Sequence, residues 1–428
     1  MLHKLVQIWK AKDLRKNIFY VLSLLVVFRL AAHIPVPGVN VENLREFFNS
    51  NQVLGLINIF SGGAMENFSI VMLGIAPYIT ASIIFQLLVM IVPKLEEISK
   101  DGEAGRQKIN QWTRYLTVPL AILQSYAMIT LLRQQSTYQI INDISMFSLV
   151  TTITTITAGT IFLMWLGELI SEKHVGNGIS LLIFAGIISG LPSAVQRMIV
   201  TFDPAQITNL IVFAAIAIIT IVGVVVINEG QRKVPVSYAR QVRGTRMYGG
   251  MNTYLPLRVN QAGVIPIIFA ISIMIFPSMV AGFFMQAKTA WIATGAQLLE
   301  SLFNPSGIFY PIFYFLLVVG FTYFYTFVIF HPNQIAENLQ KQGGFIPGIR
   351  PGKNTTQYLN NTMTRILLAG SLFLGSIAVL PIVLSNVGSF QGMNLVIGGT
   401  SLLIVVSVVI ETIKQVESQL TMREYEGL

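Results

Sequence analysis

The chain contains no cysteine in 428 residues. Disulfides, thiolate nucleophiles and thiolate metal sites are therefore excluded. It is also poor in charge: Asp, Glu, Lys and Arg make up 11% of the residues, against 53% hydrophobic. The four histidines, His3, His33, His174 and His331, are too scattered to form a metal site or a catalytic pair. No phosphate-cradling glycine loop, nucleophile elbow or paired-histidine zinc motif stands in a chemical context. The expectation is a protein that is not an enzyme, holds no metal and needs no cofactor.

What the chain does have is length in its apolar runs. Ten stretches lie near 17–35, 68–92, 114–132, 148–170, 178–198, 207–227, 261–284, 308–330, 362–384 and 391–411. A helix needs about 20 apolar residues to cross a hydrocarbon core of about 30 Å. Mean hydropathy is +0.66. The reading is an all-α polytopic membrane protein. The basic start resembles a signal peptide, but its apolar part is too long and no small-residue cleavage site follows, so it reads as a first span.

Alternate gaps are rich in cations. Lys4, Lys10, Lys12, Arg15 and Lys16 precede the first stretch. Lys94, Lys100, Arg106, Lys108 and Arg114 follow the second, and Lys173 follows the fourth. Arg232, Lys233, Arg240, Arg243, Arg246 and Arg258 follow the sixth; Lys341, Arg350, Lys353 and Arg365 follow the eighth; Lys414 and Arg423 follow the tenth. The opposite gaps hold only Arg45, Arg133, Arg197 and Lys288. Because basic loops stay cytoplasmic, both termini are expected on that side. The net charge of +9 then reads as topology signal and attraction to anionic lipid.

The spans themselves lack Asp, Glu and Lys near their middles. Ion-coupled transporters place ionisable groups there, which counts against a coupled pump. Arg29 and His33 lie toward the outer end of the first span, and Glu168 and Glu411 toward cytoplasmic ends. Gly and Pro are frequent, which suits close helix packing and bending.

One apolar segment is too short to cross. Residues 54–60, LGLINIF, rise only about 10 Å as helix before Ser61-Gly62-Gly63 breaks the run. A re-entrant segment and an external helix lying on the lipid surface are equally compatible with it. Two cytoplasmic gaps are long. In 228–260, YARQVRGTRMYGG suggests a projecting hairpin. In 331–361, NQIAENLQKQ suggests a short helix, and GGFIPGIRPG places Arg350 between two Pro-Gly turns that restrict its backbone.

Several longer strings are specific: IPVPG at 34–38, NIFSGGAMENFSI at 58–70, LGIAPYITASIIFQLL at 73–88, MWLGELISEKHVGNGISLLIFAGI at 164–187, NQAGVIPIIFA at 260–270, GGFIPGIRPG at 343–352 and GGTSLLIVVSVVIE at 398–411. Through these the chain resembles the SecY family, the pore subunits of the bacterial protein translocase. The resemblance implies ten transmembrane helices in two inverted five-helix halves, 1–198 and 199–428, closing like a clamshell on a central pore. It implies a lateral gate between the stretches 68–92 and 261–284, and a plug at about 53–67 comprising Gly55, Leu56, Ile57, Asn58, Ile59, Phe60, Ser61, Gly62, Gly63, Ala64 and Met65. Ile75, Ile79, Ile179, Ile183, Ile268 and Ile404 would form the pore ring, and Gln86 and Asn177 polar positions near the gate. Arg240, Arg243, Arg246 and Arg350 would dock partners.

The implied function is passage of unfolded secretory polypeptides across the bacterial cytoplasmic membrane, with release of transmembrane segments into lipid. Drive would come from the SecA ATPase or the ribosome, with the small membrane subunits SecE and SecG, signal peptides and anionic lipids as further partners. The residues are compatible with this. Ile75/Ile79 and Ile179/Ile183 are i,i+4 pairs that share a helix face. Planar guanidinium groups suit both RNA phosphates and acidic protein surfaces. An inverted-repeat secondary transporter is the alternative, and it would need a midplane ion or substrate site.

The charge pattern makes a direct prediction. A cysteine introduced at Gly244 is expected to react with an impermeant thiol reagent only after the membrane is opened. Labelling from outside intact cells would overturn the orientation.

Overall fold

The computed structural model describes residues 9, 11–50, 58, 61–134, 145–200, 207–238, 241–243, 246–248, 252–284, 289–303, 307–386 and 399–426. In order, its elements are α1 (Lys12–Ala31), α2 (Val41–Ser50), α3 (Ala76–Ile91), α4 (Pro93–Lys100), α5 (Glu103–Gln134), α6 (Met146–Glu172), α7 (Gly178–Val200) and α8 (Ile207–Glu229). There follow β1 (Gln231–Tyr238), β2 (Gln241–Arg243), β3 (Arg246–Tyr248), β4 (Asn252–Arg258), α9 (Ile265–Phe284), α10 (Ala290–Leu302), α11 (Phe309–Ile329), α12 (Pro332–Lys341), β5 (Gly344–Phe345), α13 (Lys353–Asn386) and α14 (Gly399–Glu426).

Each of the ten apolar stretches carries a helix: α1, α3, α5, α6, α7, α8, α9, α11, α13 and α14. Five of these, α5, α6, α8, α11 and α13, are long and apolar enough by themselves to cross a membrane, and the bent pair α3–α4 makes a sixth. The chain is an all-α polytopic membrane protein. Its helices close their own hydrogen bonds, as a water-free environment demands. Hydroxyls inside them follow the same rule: Thr117, Ser125, Thr322 and Thr326 each donate to the carbonyl four residues back, at 2.6–2.8 Å.

The second stretch is not one continuous helix. Residues 61–75 run as turns, helix begins only at Ala76, and the chain bends by 102° into α4. Proline sets both limits. Pro77 sits in the first turn of α3, where no amide is needed. Pro93 holds Val92 extended, at φ −100° and ψ 109°, and so ends the helix. Other boundaries also shift. α5 starts at Glu103 and α13 at Lys353, each well before its apolar stretch, and α14 runs on to Glu426. Three helices were not expected, α2, α4 and α10.

Apolar packing falls into clusters. Leu44, Phe47 and Phe48 of α2 bury against Met65, Phe68 and Met72 of the irregular segment and Ile129, Leu132 and Ile156 of α5 and α6. Val224, Met274, Tyr314, Val318, Leu374 and Leu403 join α8, α9, α11, α13 and α14. A third cluster joins α1, α3, α6, α7 and α14, and holds the candidate site.

The two long loops form one body. β1 pairs antiparallel with β4 and, through Ser237 and Tyr238, with β5 from the later loop. The sheet order is β4-β1-β5. Val234, Val236, Leu257, Phe330, Ile346, Leu359 and Met363 make its core. β2 and β3 form the hairpin beyond it, with Arg243 opposite Arg246.

Gly159 of α6 is where helix and irregular backbone approach most closely. A Cβ there would lie 1.9 Å from the Ile70 carbonyl oxygen. Gly159→Val is expected to force them apart, at a cost of about 1–3 kcal/mol or more. The purified variant should melt several degrees below the parent in detergent; an unchanged melting temperature would contradict this packing.

Candidate functional site

The site is built where helix ends meet the irregular segment. Ile75 caps the start of α3 and Ile79 follows one turn later, so both project to one side. Ile179 and Ile183 do the same on α7. Asn177 positions that helix: its Oδ1 accepts from the amides of Ile179 and Ser180 at 3.1 and 3.2 Å, an N-cap that satisfies otherwise unpaired donors. Ser171 secures the junction from α6. Its hydroxyl donates to the Gly167 carbonyl and accepts from the Gly178 amide, both at 2.9 Å.

Ile268 comes from α9. The entry to that helix is tied by Asn260, whose Nδ2 donates to Asn228 Oδ1 at 2.7 Å; Asn228 Nδ2 donates in turn to Ser407 Oγ at 2.7 Å. This chain of amides joins α8, α9 and α14. Ile404 projects from α14. All six isoleucines fall in one apolar cluster: Ile75, Ile183 and Ile404 are buried within it, and Ile79, Ile179 and Ile268 pack against it.

Within the cluster lies a cavity of about 70 Å³, lined by Ser61, Met65, Leu73, Ile75, Ala76, Ile79, Ile183, Ile268, Ile271 and Ser272. Four of the six isoleucines therefore share one space, with α3 and α9 facing each other across it. The two hydroxyls in the lining have their protons engaged by backbone carbonyls: Ser61 donates to the Asn58 carbonyl and Ser272 to that of Ile268, both at 2.9 Å. An ion entering would lose its hydration and find a lining that is mostly apolar.

Ser61 and Met65 belong to the short segment read as a plug. Of that segment Asn58 and Ser61–Met65 are described; Gly55, Leu56, Ile57, Ile59 and Phe60 lie outside the described residues. Ser61, Ala64 and Met65 are buried. Gln86 is half-buried on α3. Its Nε2 donates to Ser82 Oγ at 3.1 Å, and its Oε1 is buried with no partner among the described residues.

The candidate docking residues of the two long loops stand apart from the cavity. Arg350 is exposed in the turn after β5, between Gly348 at φ 82° and Gly352 at φ 93°. Its carbonyl accepts from Thr355 Oγ1 at 3.0 Å, which ties the turn to α13. Arg243 and Arg246 face each other in register at the tip of the β2–β3 hairpin. Arg240 lies outside the described residues. The contributions of Leu73, Ile271 and Ser272 were not picked out from the sequence. Ile271 and Ser272 sit one turn beyond Ile268 on α9, so helical spacing from it was the available signal.

The fold and these motifs match one known family over nearly the whole chain. A model of the SecY family matches residues 69–413. The chain belongs to the SecY family. The protein translocase subunit SecY of Streptomyces galbus is 43% identical over 441 residues, covering 100% of this chain and 99% of that protein. Two solved structures share the fold. One is a SecY protein whose plug domain is described as stabilising the closed state of the translocation channel and maintaining a membrane seal; it is 18% identical, covers 92% of this chain and 90% of that one, and superposes with a TM-score of 0.62. The other is Sec61 in the canine ribosome–channel complex from the endoplasmic reticulum, 17% identical over 93% of this chain and 91% of that one, with a TM-score of 0.60. SecY membership gives no support to the transporter alternative.

Proposed function

We propose that this chain is the protein-conducting channel of a bacterial Sec translocase, passing unfolded polypeptides through the isoleucine-lined constriction and releasing apolar segments to lipid between α3 and α9. The observation that carries the reading is the shared cavity: Ile75, Ile79, Ile183 and Ile268 surround it, with Ser61 and Met65 of the short segment as part of its wall. The relative named a translocase subunit at 43% identity over the whole chain supports the same function.

The mechanism follows from the side chains. Isoleucine forms no hydrogen bonds, so a ring of six excludes ions at rest and adapts by rotamer change to passing chains of any sequence. Six residues from four helices give a width that follows helix movement. The segment 55–65 covers the ring from outside as the plug. Residues 1–198 and 199–428 act as two halves, ten helices crossing the bacterial cytoplasmic membrane with both termini inside. Gln86, whose side-chain carbonyl has no partner among the described residues, lies on the gate side, while Asn177 serves the site by capping α7 beneath the ring.

Energy is supplied from outside the chain, which performs no chemistry of its own. The β-sheet body and its hairpin dock the SecA ATPase or the ribosome through Arg240, Arg243, Arg246 and Arg350. The canine Sec61 that shares the fold stands in a complex with a ribosome, which supports the ribosome as one such partner. SecE and SecG complete the assembly, signal peptides open it, and anionic lipid headgroups meet its basic face.

Two outcomes test this reading. Replacing Ile79 and Ile183 together by Ser is expected to raise the resting ion conductance of the purified complex in planar bilayers while secretion persists. A double variant as tight as the parent would make these isoleucines ordinary packing. Arg350→Glu is expected to abolish most ATP-driven secretion at unchanged protein level, because the reversed charge repels an acidic partner. Parental secretion by that variant would remove the turn from the docking surface.

A further inference from the structure

Arg29 is an expensive residue in its place. It lies in the last turn of α1, toward the outer end of an apolar span, and is half-buried. Among the described residues no carboxylate pairs with it. A cation so placed needs a partner that justifies its desolvation, and such residues mark function more often than packing. Its partner is the backbone of the short segment: Nη1 donates to the carbonyl oxygen of Gly62.

The geometry around that contact is specific. Gly62 adopts φ +71°, which turns its carbonyl toward α1, and a Cβ there would lie 2.8 Å from Gly186 Cα on α7 and 3.1 Å from Arg29 Nη1. Glycine is required on both counts. The far end of the segment is clasped separately. Asn58 Nδ2 donates to Glu66 Oε2, and the Glu66 amide donates to Asn58 Oδ1, both at 3.0 Å. Arg45 of α2 then reaches Glu66 at 3.9 Å and Asn67 Oδ1 at 2.7 Å. Every one of these polar ties runs to residues within 1–198. Among the described residues the segment meets α9 at the cavity wall, where Ser61 and Met65 stand across from Ile268, Ile271 and Ser272, and the Ser61 and Ser272 hydroxyls donate to carbonyls of their own elements. Separation of α3 from α9 therefore leaves the segment attached, and its release is a distinct step.

We infer that Arg29 is the latch of the short segment: its charged hydrogen bond to the Gly62 carbonyl sets how often the segment leaves the cavity. This rests on the reading of that segment as a plug, and the test separates the two. A hydrogen bond from a charged donor to a half-buried carbonyl shifts such an equilibrium by about tenfold or more. Arg29 is a positioning residue, acting through the segment and not on the passing chain.

The chain has no cysteine, so a single one at Ala64, which is fully buried, reports departure of the segment. The readout is its reaction rate with a small thiol reagent added outside intact cells. Arg29→Met, which keeps the stem and loses the donor, is expected to raise the rate about tenfold. Arg29→Lys, which keeps a cationic donor, is expected to stay within about threefold of the parent. Gly62→Ala, with Arg29 intact, is expected to raise the rate through its clash with Gly186. If Arg29→Met fails to accumulate, Arg29→Gln is read in its place against the same criterion. An unchanged rate in the neutral variant while Gly62→Ala reacts faster overturns the latch, as does equal acceleration by Lys and Met. Bilayer conductance after deletion of residues 57–65 judges the plug reading separately: a tight deletion variant refutes the plug, while the thiol rates still decide the latch.

Discussion

Residues 61–75 are irregular backbone packed among helices and mostly buried, so their amides and carbonyls need partners from protein. That constraint organises the helices around it. Non-helical backbone at this depth is tolerated only when protein supplies its hydrogen bonds. Val36 donates to the Phe68 carbonyl at 2.8 Å and Ile70 to that of Ile34 at 3.0 Å, so the chain leaving α1 serves as a strand-like partner. Turns within the segment close others, Ser69 to Ala64 at 3.0 Å and Gly74 to Val71 at 2.8 Å. The bare face of α6 at Gly159 admits the Ile70 carbonyl, and Arg29 takes that of Gly62. α1, α2, α6 and α7 are placed by the need to enclose this segment.

The cavity beside it shows the complementary strategy. Where the segment needs partners for its polar groups, the cavity offers none. Its isoleucines come from separate helices, so the space is defined by how those helices stand, not by any bond between them. Dispersion contacts of this kind are individually weak and non-directional. They give a surface that closes well and parts without breaking a hydrogen bond. The polar ties lie elsewhere, in the Asn260–Asn228–Ser407 chain at the entry to α9 and the Arg114–Glu168 pair at 2.6 Å between α5 and α6. They fix helix ends and leave the centre free.

The sheet formed by the two long loops follows ordinary water-soluble rules. It buries Val234, Val236, Leu257 and Ile346 on one side, and exposes Arg232, Lys233 and Tyr254. β5 joins the body by two residues only, yet that pairing ties the loop carrying Arg350 to β1.

Much of this was legible in the sequence. Ten apolar stretches located ten helices, and the motifs at 34–38, 73–88 and 343–352 carried the family. The i,i+4 isoleucine pairs were visible because helical spacing is local. Arg29 was noticed as a charge out of place, but its acceptor is a backbone carbonyl, which no residue type announces. The interruption of the second stretch was hidden as well, since 68–75 is as apolar as the helix that follows and only tertiary partners make its non-helical course affordable. The joining of two loops into one sheet rests on a two-residue pairing too short to leave a pattern. Local periodicity and charge determine which segments are helical and which face is basic. Which backbone groups meet, and so which residues surround the cavity and hold its cover, is decided by contacts distant in sequence, because hydrogen bonds left open by irregular chain can be closed only from elsewhere in the fold.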